Sequence, residues 1–115
     1  MRVSRRGFVK AGAAGAAVLG SHGAALAAGA PALLVYDSRL ASSIAFAAAS
    51  PCLAIDVARE HGRRWQALRG ALPPGRIAGL TRWQDYVLVR GMAEDQRRRL
   101  VSERRVGNLI AFELA

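Results

Sequence analysis

The sequence predicts a small α/β domain with a mainly parallel β-sheet, in the order β-α-β-α-β-α-β and with a possible C-terminal hairpin. Three short apolar runs, at 32–36, 52–57 and 76–80, have the length of buried strands. A segment of helical character follows each run, and such alternation is typical of parallel strands joined by right-handed crossovers. The 115 residues have room for one domain of this size, which we expect over residues 28–115.

The first strand and helix are expected at 32–36 and 40–50. Residues 32–36 are apolar throughout, which indicates a strand buried on both faces. Asp37 or Ser38 is the expected N-cap of the helix. The helix should stop before Pro51, because the residue before a proline avoids helical geometry.

The second unit repeats this pattern. Residues 52–57 form an apolar run that reaches an aspartate, which predicts a second buried strand, and the charged residues 59–62 follow as a loop. Residues 63–72 then predict a helix that the Pro-Pro-Gly sequence 73–75 ends. Its larger apolar residues fall on one side at spacings of three and four: Trp65, Leu68 and Leu72.

The third unit has a strand at 76–80 and a helix from Thr81 to about Arg98. Thr81 and Gln84 have the spacing of a capping box. On the exposed side, Glu94 with Arg98 and Asp95 with Arg99 are expected ion pairs. The expected inner face contains Tyr86, Val89, Ala93 and Leu100.

The C-terminal residues allow two interpretations. In one, the helix continues to Arg105 and Gly107 caps it. In the other, it stops near Arg99, and 100–105 pairs with 109–114 as a hairpin through Gly107 and Asn108. We favour the hairpin, because it keeps the helix near ordinary length and gives the last strand an immediate partner.

The N-terminal residues contain a basic pair, a weakly apolar stretch and a small-residue cleavage sequence. Arg5 and Arg6 are followed by Phe8 and Lys10, residues 11–20 are rich in Ala and Gly, and the small-x-small sequence 25–27 follows. This order resembles the twin-arginine (Tat) export signal. The resemblance covers only residues 1–27 and implies transport of a folded chain by the Tat translocase, cleavage after Ala27 and a periplasmic location.

Two alternatives remain for the N-terminal segment. It is either a basic tail followed by an Ala-rich helix of the domain, or an anchor that is retained. The apolar run is too short for a stable membrane span.

The charge of the chain points to anionic partners. The formal net charge is +9, and residues 28–115 keep 13 arginines against 8 acidic residues. A positive surface attracts nucleic acid, anionic lipid or acidic proteins. Because nucleic acid is scarce outside the cytoplasm, we expect an acidic protein or a small anion as the partner.

The single cysteine, Cys52, excludes an intramolecular disulfide. We expect it to be a buried small hydrophobe at the start of the second strand, opposite the candidate site.

The candidate site lies at the carboxyl ends of the predicted strands, where open parallel sheets bind ligands. Asp37 and Asp56 suit metal binding or acid–base catalysis, Arg39 and Arg82 suit a carboxylate or phosphate, and Trp83 suits a flat ring. The alternative is that strand-end Asp, Ser and Thr merely cap helices and that Trp83 packs in the core with Tyr86. The expected ligand-binding set is Asp37, Ser38, Arg39, Asp56, Thr81, Arg82 and Trp83.

Familiar catalytic motifs do not occur in the sequence. It has no Rossmann glycine pattern, P-loop, CxxC pair or GxSxG sequence, which argues against a standard nucleotide or redox enzyme. After residue 27, His61 is the only histidine, so a His-rich zinc site is excluded within one chain. The nearest metal-binding cluster would be Asp56, Glu60 and His61, and we predict no metal site. The sequence identifies no cofactor.

Three functions therefore compete. The first is an exported binding or accessory protein that docks on a larger periplasmic partner or holds a small anionic ligand. The second is a small hydrolase or transferase that uses Asp37 and Asp56. The third is a homo-oligomer in which an exposed edge strand at 109–114 pairs between subunits.

Overall fold

The structure, a computed structural model, describes residues 30–115 as a five-stranded sheet with four helices. The strands are β1 Leu33–Tyr36, β2 Leu53–Asp56, β3 Ile77–Arg82, β4 Leu100–Val106 and β5 Leu109–Leu114. The helices are α1 Ala41–Ala48, α2 Val57–Gly62, α3 Gln66–Arg69 and α4 Trp83–Asp95. None of these helices is both long and apolar enough to cross a membrane. The Tat motif and the cleavage position lie outside the described residues.

The first three strands form the parallel half of the sheet, in the order β2-β1-β3. Leu33 of β1 lies between Leu53 of β2 and Ile77 of β3. Helix α1, which connects β1 to β2 in the chain, covers one face of the sheet. Helices α2 and α3, which connect β2 to β3, cover the other face. Because these two crossovers run in opposite directions on opposite faces, they have the same hand.

The prediction of a mainly parallel sheet is wrong for its other half. Strand β5 lies antiparallel beside β3, and β4 lies antiparallel outside β5, so the order is β2-β1-β3-β5-β4. The C-terminal hairpin is confirmed, and Gly107 has the positive φ that its tight turn requires. A tight turn of this kind can join only antiparallel strands, whereas a further parallel strand would need another crossover helix.

Helix α4 begins and ends at other residues than predicted. Thr81 and Arg82 belong to β3, because β5 pairs with both of them, and so the capping box does not form. The helix ends at Asp95, and Arg97 follows with a left-handed φ of 68°. Within residues 30–115, neither of the expected ion pairs, Glu94 with Arg98 and Asp95 with Arg99, is formed. Glu94 pairs with Arg90 instead.

The first two helical predictions also need correction. The N-cap of α1 is Leu40, without a side-chain hydrogen bond, so neither Asp37 nor Ser38 caps this helix. Helix α2 was not predicted; it starts directly after β2, and Asp56 caps it by accepting a hydrogen bond from the backbone of Ala58. The helix predicted at 63–72 is shorter in the structure, where only α3 forms. Arg64 and Trp65, which precede α3, have positive φ and cannot belong to a right-handed helix.

Two hydrophobic clusters hold the sheet between its helices. The larger lies under α2, α3 and α4 and includes the predicted inner-face residues Tyr86, Val89 and Ala93. The smaller lies under α1 and centres on Phe46 and Leu34. Trp83 lies outside this core, with 53% of its surface exposed. The interpretation of Trp83 as a core residue is therefore wrong.

The edges of the sheet differ from the prediction. The prediction of β2 as a buried strand is wrong, because it is an edge strand and Leu53 is 59% exposed. Strand β5, proposed as an exposed edge for pairing between subunits, has neighbours on both sides. Cys52 precedes β2 at the end opposite the candidate site, where it is half-buried against the smaller cluster, and burial raises its pKa.

The contact of β3 with β5 gives a test of the fold. A Cβ added to Gly79 would overlap the ring of Phe112, its cross-strand partner. We expect Gly79→Ala to lower the free energy of unfolding by about 1–3 kcal/mol, because overpacking a filled core is destabilising. Urea unfolding followed by circular dichroism measures the change.

Gly62→Ala is the control, because its new methyl group meets nothing within 4 Å. Equal stability of the Gly79→Ala protein and the wild-type protein would contradict the packing of Phe112 on Gly79.

Candidate functional site at the carboxyl ends of the parallel strands

The parallel strands β1, β2 and β3 end at the same edge of the sheet. Strand β2 lies on one side of β1 and β3 on the other, so the strand order reverses at β1. In open α/β sheets, ligands bind outside the carboxyl ends of the strands at such a point. The residues gathered here are called the strand-end rim: Asp37, Ser38, Arg39, Asp56, His61, Arg82 and Asp85.

Asp37, directly after β1, holds Arg39 in a two-point ion pair. The Nε and Nη2 atoms of Arg39 lie 2.8 Å and 2.9 Å from the two carboxylate oxygens, and the Arg39 backbone N–H also donates to Oδ1. Asp37 is fully buried. Burial opposes ionisation of this carboxyl group, but hydrogen bonds and charge from Arg39 outweigh it and lower the pKa.

A second buried carboxylate, Asp85 in the first turn of α4, also binds Arg39. Nη2 of Arg39 lies 3.1 Å from Oδ2 of Asp85, whose side chain is 2% exposed. On its other oxygen, Asp85 accepts a hydrogen bond from Nε2 of His61 at 2.7 Å. The side chains of Asp37, Arg39, Asp85 and His61 therefore form one chain of contacts from β1 to α2.

His61 reaches the strand-end rim from the C-terminal part of α2. Its ring packs edge-on against Trp65, with the ring centroids 4.7 Å apart. Because an ionised carboxylate can only accept, Nε2 carries the hydrogen in the bond to Asp85. The side chain is 45% exposed, so the imidazole is both oriented and accessible to solvent.

The hydroxyl group of Ser43, on α1, fixes the position of Asp37. Its hydroxyl donates to the carbonyl oxygen of Leu80 in β3 at 2.6 Å and accepts from the backbone N–H of Asp37 at 2.8 Å. Ser43 is fully buried on α1. This one side chain ties the end of β1 to the end of β3.

Asp56 has a structural role at the end of β2. Its Oδ1 atom accepts from the backbone N–H groups of Ser38 and Ala58, each at 3.0 Å. The first contact ties the loop after β1 to β2, and the second caps α2. Ser38 thus reaches Asp56 through its backbone.

A shallow groove of about 230 Å³ opens beside the strand-end rim. Tyr36, Asp56, Arg59 and Arg63 are among its lining residues. Burial raises the pKa of Tyr36, with a further contribution from the charge of Asp56, so this phenol stays neutral at pH 7. Glu60 also lines the groove, so two arginines and two carboxylates surround it.

The structure brings together part of the predicted set. Asp37 binds Arg39, Asp56 binds the backbone of Ser38, and the charge of Arg82 acts on Asp37. Thr81 is buried in the sheet and donates to the carbonyl oxygen of Arg82, its own neighbour. Trp83 makes its ring contact with Tyr86, at 5.4 Å between centroids. These last two residues do not belong to the network.

Sequence analysis missed Asp85, His61 and Ser43 as partners of the site. Asp85 has a usable signal, since an acidic residue in the first turn after a parallel strand lies near the carboxyl ends of the other strands. The alternative cluster of Asp56, Glu60 and His61 does not form. Glu60 is buried and accepts from the backbone of Leu68 at 2.9 Å, and no set of ligands for a metal ion occurs within residues 30–115.

The buried carboxylate of Asp37 makes stability dependent on pH. Because the folded pKa of Asp37 lies below its unfolded value, its contribution is complete above about pH 4 and is lost as the pH falls through the folded pKa. We expect Asp37→Asn to cost about 1–3 kcal/mol at pH 7, since it removes the two-point partner of Arg39, which stays 43% exposed and paired with Asp85. The variant should also lose less stability on acidification than the wild-type protein does.

Urea unfolding at a series of pH values between neutral and acid measures both effects. Asp95→Asn is the control, because Asp95 is exposed on α4. If the free energy of unfolding of Asp37→Asn and of the wild-type protein changed with pH in parallel, the lowered pKa of Asp37 in the folded protein would be contradicted.

Comparison with protein-family models, curated proteins and solved structures gives no match for this chain. Function is therefore inferred from the geometry of the strand-end rim. That geometry presents two oriented side chains to solvent: Arg39, which two buried carboxylates hold, and His61, which Asp85 holds. The guanidinium of Arg39 can donate hydrogen bonds to an oxyanion.

Proposed function

We propose that the chain is an exported binding protein that holds a small anion at the strand-end rim. The observation that carries this proposal is the position of Arg39, which two buried carboxylates hold where the strand order reverses. Its side chain remains 43% exposed. An arginine fixed in this way is ready to bind without losing further conformational freedom.

The cost of this arrangement supports a role in binding. Removing two carboxylates from water is expensive, and one guanidinium is paired with both of them, while His61 contacts Asp85 at 2.7 Å. A core of similar size could be filled with apolar side chains at no loss of stability. Titratable groups held in such an environment cluster at functional sites.

The ligand class follows from the groups that face solvent. Arg39 uses Nε and Nη2 for its two carboxylates, which leaves its Nη1 atom outside these contacts, and the side chain is 43% exposed. Arg82 adds a second guanidinium, close enough for its charge to act on Asp37. Guanidinium groups bind carboxylates and phosphates through paired hydrogen bonds, so we expect a small carboxylate or phosphate.

The contacts favour binding over acid–base catalysis by Asp37 and Asp56. Both oxygens of Asp37 are bound to Arg39, and its lowered pKa keeps it ionised at neutral pH. Oδ1 of Asp56 accepts two backbone hydrogen bonds that hold the loop and α2. A general acid or base needs a pKa near the working pH, which Asp37 lacks.

Calorimetry at low salt with acetate, citrate, phosphate and sulfate tests the proposal. We expect at least one of these anions to bind, and Arg39→Lys to weaken binding by about tenfold, because lysine lacks the planar fork. Arg82→Gln should also weaken binding while leaving the buried network intact.

Arg69→Gln is the matched control, since Arg69 is exposed on α3. Thermal melting of each variant separates loss of binding from loss of folding. Failure of all four anions to bind, or equal affinity in the Arg39→Lys and wild-type proteins, would rule out the proposed ligand class.

The proposed location rests on the resemblance of residues 1–27 to a Tat signal. If the arginine pair is part of an export signal, changing Arg5 and Arg6 to lysine should leave the full-length chain in the cytoplasm. Arg2→Lys is the control and should be exported like the wild-type chain. Fractionation with N-terminal sequencing measures this, and a mature chain should begin at Ala28. Export of the double variant at the normal level would refute the assignment, and with it the expected encounter with a larger periplasmic partner.

A further inference from the structure

The buried network at the strand-end rim contains more acidic than basic groups. Asp37 and Asp85 are both buried, and the guanidinium of Arg39 pairs with both of them. With both carboxylates ionised and His61 neutral, these groups together carry one negative charge in excess. An excess negative charge beside Arg39 opposes the binding of an anion to that guanidinium.

The two remaining charged residues of the strand-end rim do not remove this excess. Arg82, at the end of β3, adds a positive charge that acts on Asp37. Asp56, at the end of β2, adds a negative charge. Because these two charges cancel, the strand-end rim as a whole keeps one negative charge in excess while His61 is neutral.

The ring of His61 contacts side chains from two neighbouring parts of the fold. Asp85, from α4, lies 2.7 Å from Nε2, and Trp65, from the turn after α2, packs edge-on against the ring. The charged residues of α2 and of this turn line the groove or are exposed to solvent: Arg59, Glu60, Arg63 and Arg64. Within residues 30–115, Asp85 is therefore the charged group in direct contact with the ring.

The neutral ring of His61 offers no donor to an anion. Its hydrogen lies on Nε2, in the bond to Asp85, so Nδ1 is only an acceptor. A proton added at Nδ1 turns this atom into a donor, makes the ring positive and removes the excess negative charge of the strand-end rim. Solvent can supply that proton, because the side chain is 45% exposed. Imidazole is also the side chain that ordinarily changes charge between about pH 5 and pH 8.

We infer that His61 takes up a proton when the strand-end rim binds an anion, so that binding strengthens as the pH falls through the range in which imidazole titrates. This inference rests on the anion binding proposed above. The added proton and the bound anion attract each other, and such coupling is reciprocal. Affinity is therefore highest at the acid end of the range, where the ring is charged before the anion arrives, and lowest at the alkaline end.

Calorimetry of the full chain with sulfate, at about pH 5.5 and about pH 8, tests the inference over the range of imidazole titration. Sulfate is the probe because its own charge is the same at both pH values. We expect the wild-type protein to bind sulfate roughly tenfold more tightly at the lower pH. Near neutral pH, titration in two buffers of different ionisation enthalpy counts the protons that binding takes up.

His61→Gln removes the titrating ring but keeps a hydrogen-bond donor for Asp85, because the glutamine amide can donate and cannot become charged. We expect this variant to bind sulfate at both pH values with the low affinity that the wild-type protein has at the higher pH, and without proton uptake. His22 and the amino terminus are also titratable in this range, but both remain in the variant. They therefore cannot account for a difference between the two proteins.

Asp85→Asn distinguishes the effect of charge from a merely structural role. The asparagine amide has an oxygen for Arg39 and an N–H group for His61, but it carries no charge. We expect this variant to bind sulfate more tightly than the wild-type protein at the higher pH, because the excess negative charge is gone. A structural role alone predicts weaker binding, and thermal melting shows whether the variant is folded.

Equal sulfate affinity of the wild-type protein at the two pH values would overturn the inference and leave the proposed function intact. The same holds if His61→Gln keeps the full pH dependence, or if a folded Asp85→Asn protein binds more weakly than the wild-type protein at the higher pH. Absence of sulfate binding at both pH values would also overturn the inference, whereas the proposed function is judged on all four anions.

Discussion

The fold at the carboxyl ends of the strands depends on one arginine shared by two buried carboxylates. Arg39 neutralises Asp37 at the end of β1 and Asp85 at the start of α4, and without it both charges would lack compensation in the interior. This contact also fixes where α4 starts relative to β1. His61 and Ser43 extend the same network to α2 and α1, so four elements share one set of polar contacts.

Much of the fold can be predicted from the sequence, because the apolar runs are short and well separated. The strands β1, β2 and β3 lie within two residues of the predicted limits, and the C-terminal hairpin is confirmed. The direction of the last strands could not be predicted with the same success. A run such as 109–114 has the same composition whether its neighbour is parallel or antiparallel, and the long-range pairing with β3 decides.

The error at the start of α4 has a clear physical cause. Pairing with β5 extends β3 through Arg82, and this tertiary contact overrides the local capping signal of Thr81. The site residues show the same limit. Asp37, Arg39 and Asp56 stand out because they follow strands, whereas Asp85, His61 and Ser43 become partners only once α1, α2 and α4 pack on the sheet. Spatial neighbours of this kind leave little trace in the local sequence.

The place of β5 has a consequence for the order in which the molecule forms. The six residues 109–114 lie between β3 and β4, so an inner strand of the sheet follows both α4 and β4 in the chain. Until this segment pairs with β3, β3 has an open edge and Phe112 is missing from its place over Gly79. The sheet is complete only once residues 77–114 have come together, and a partly folded chain that lacks β5 can associate through the open edge of β3.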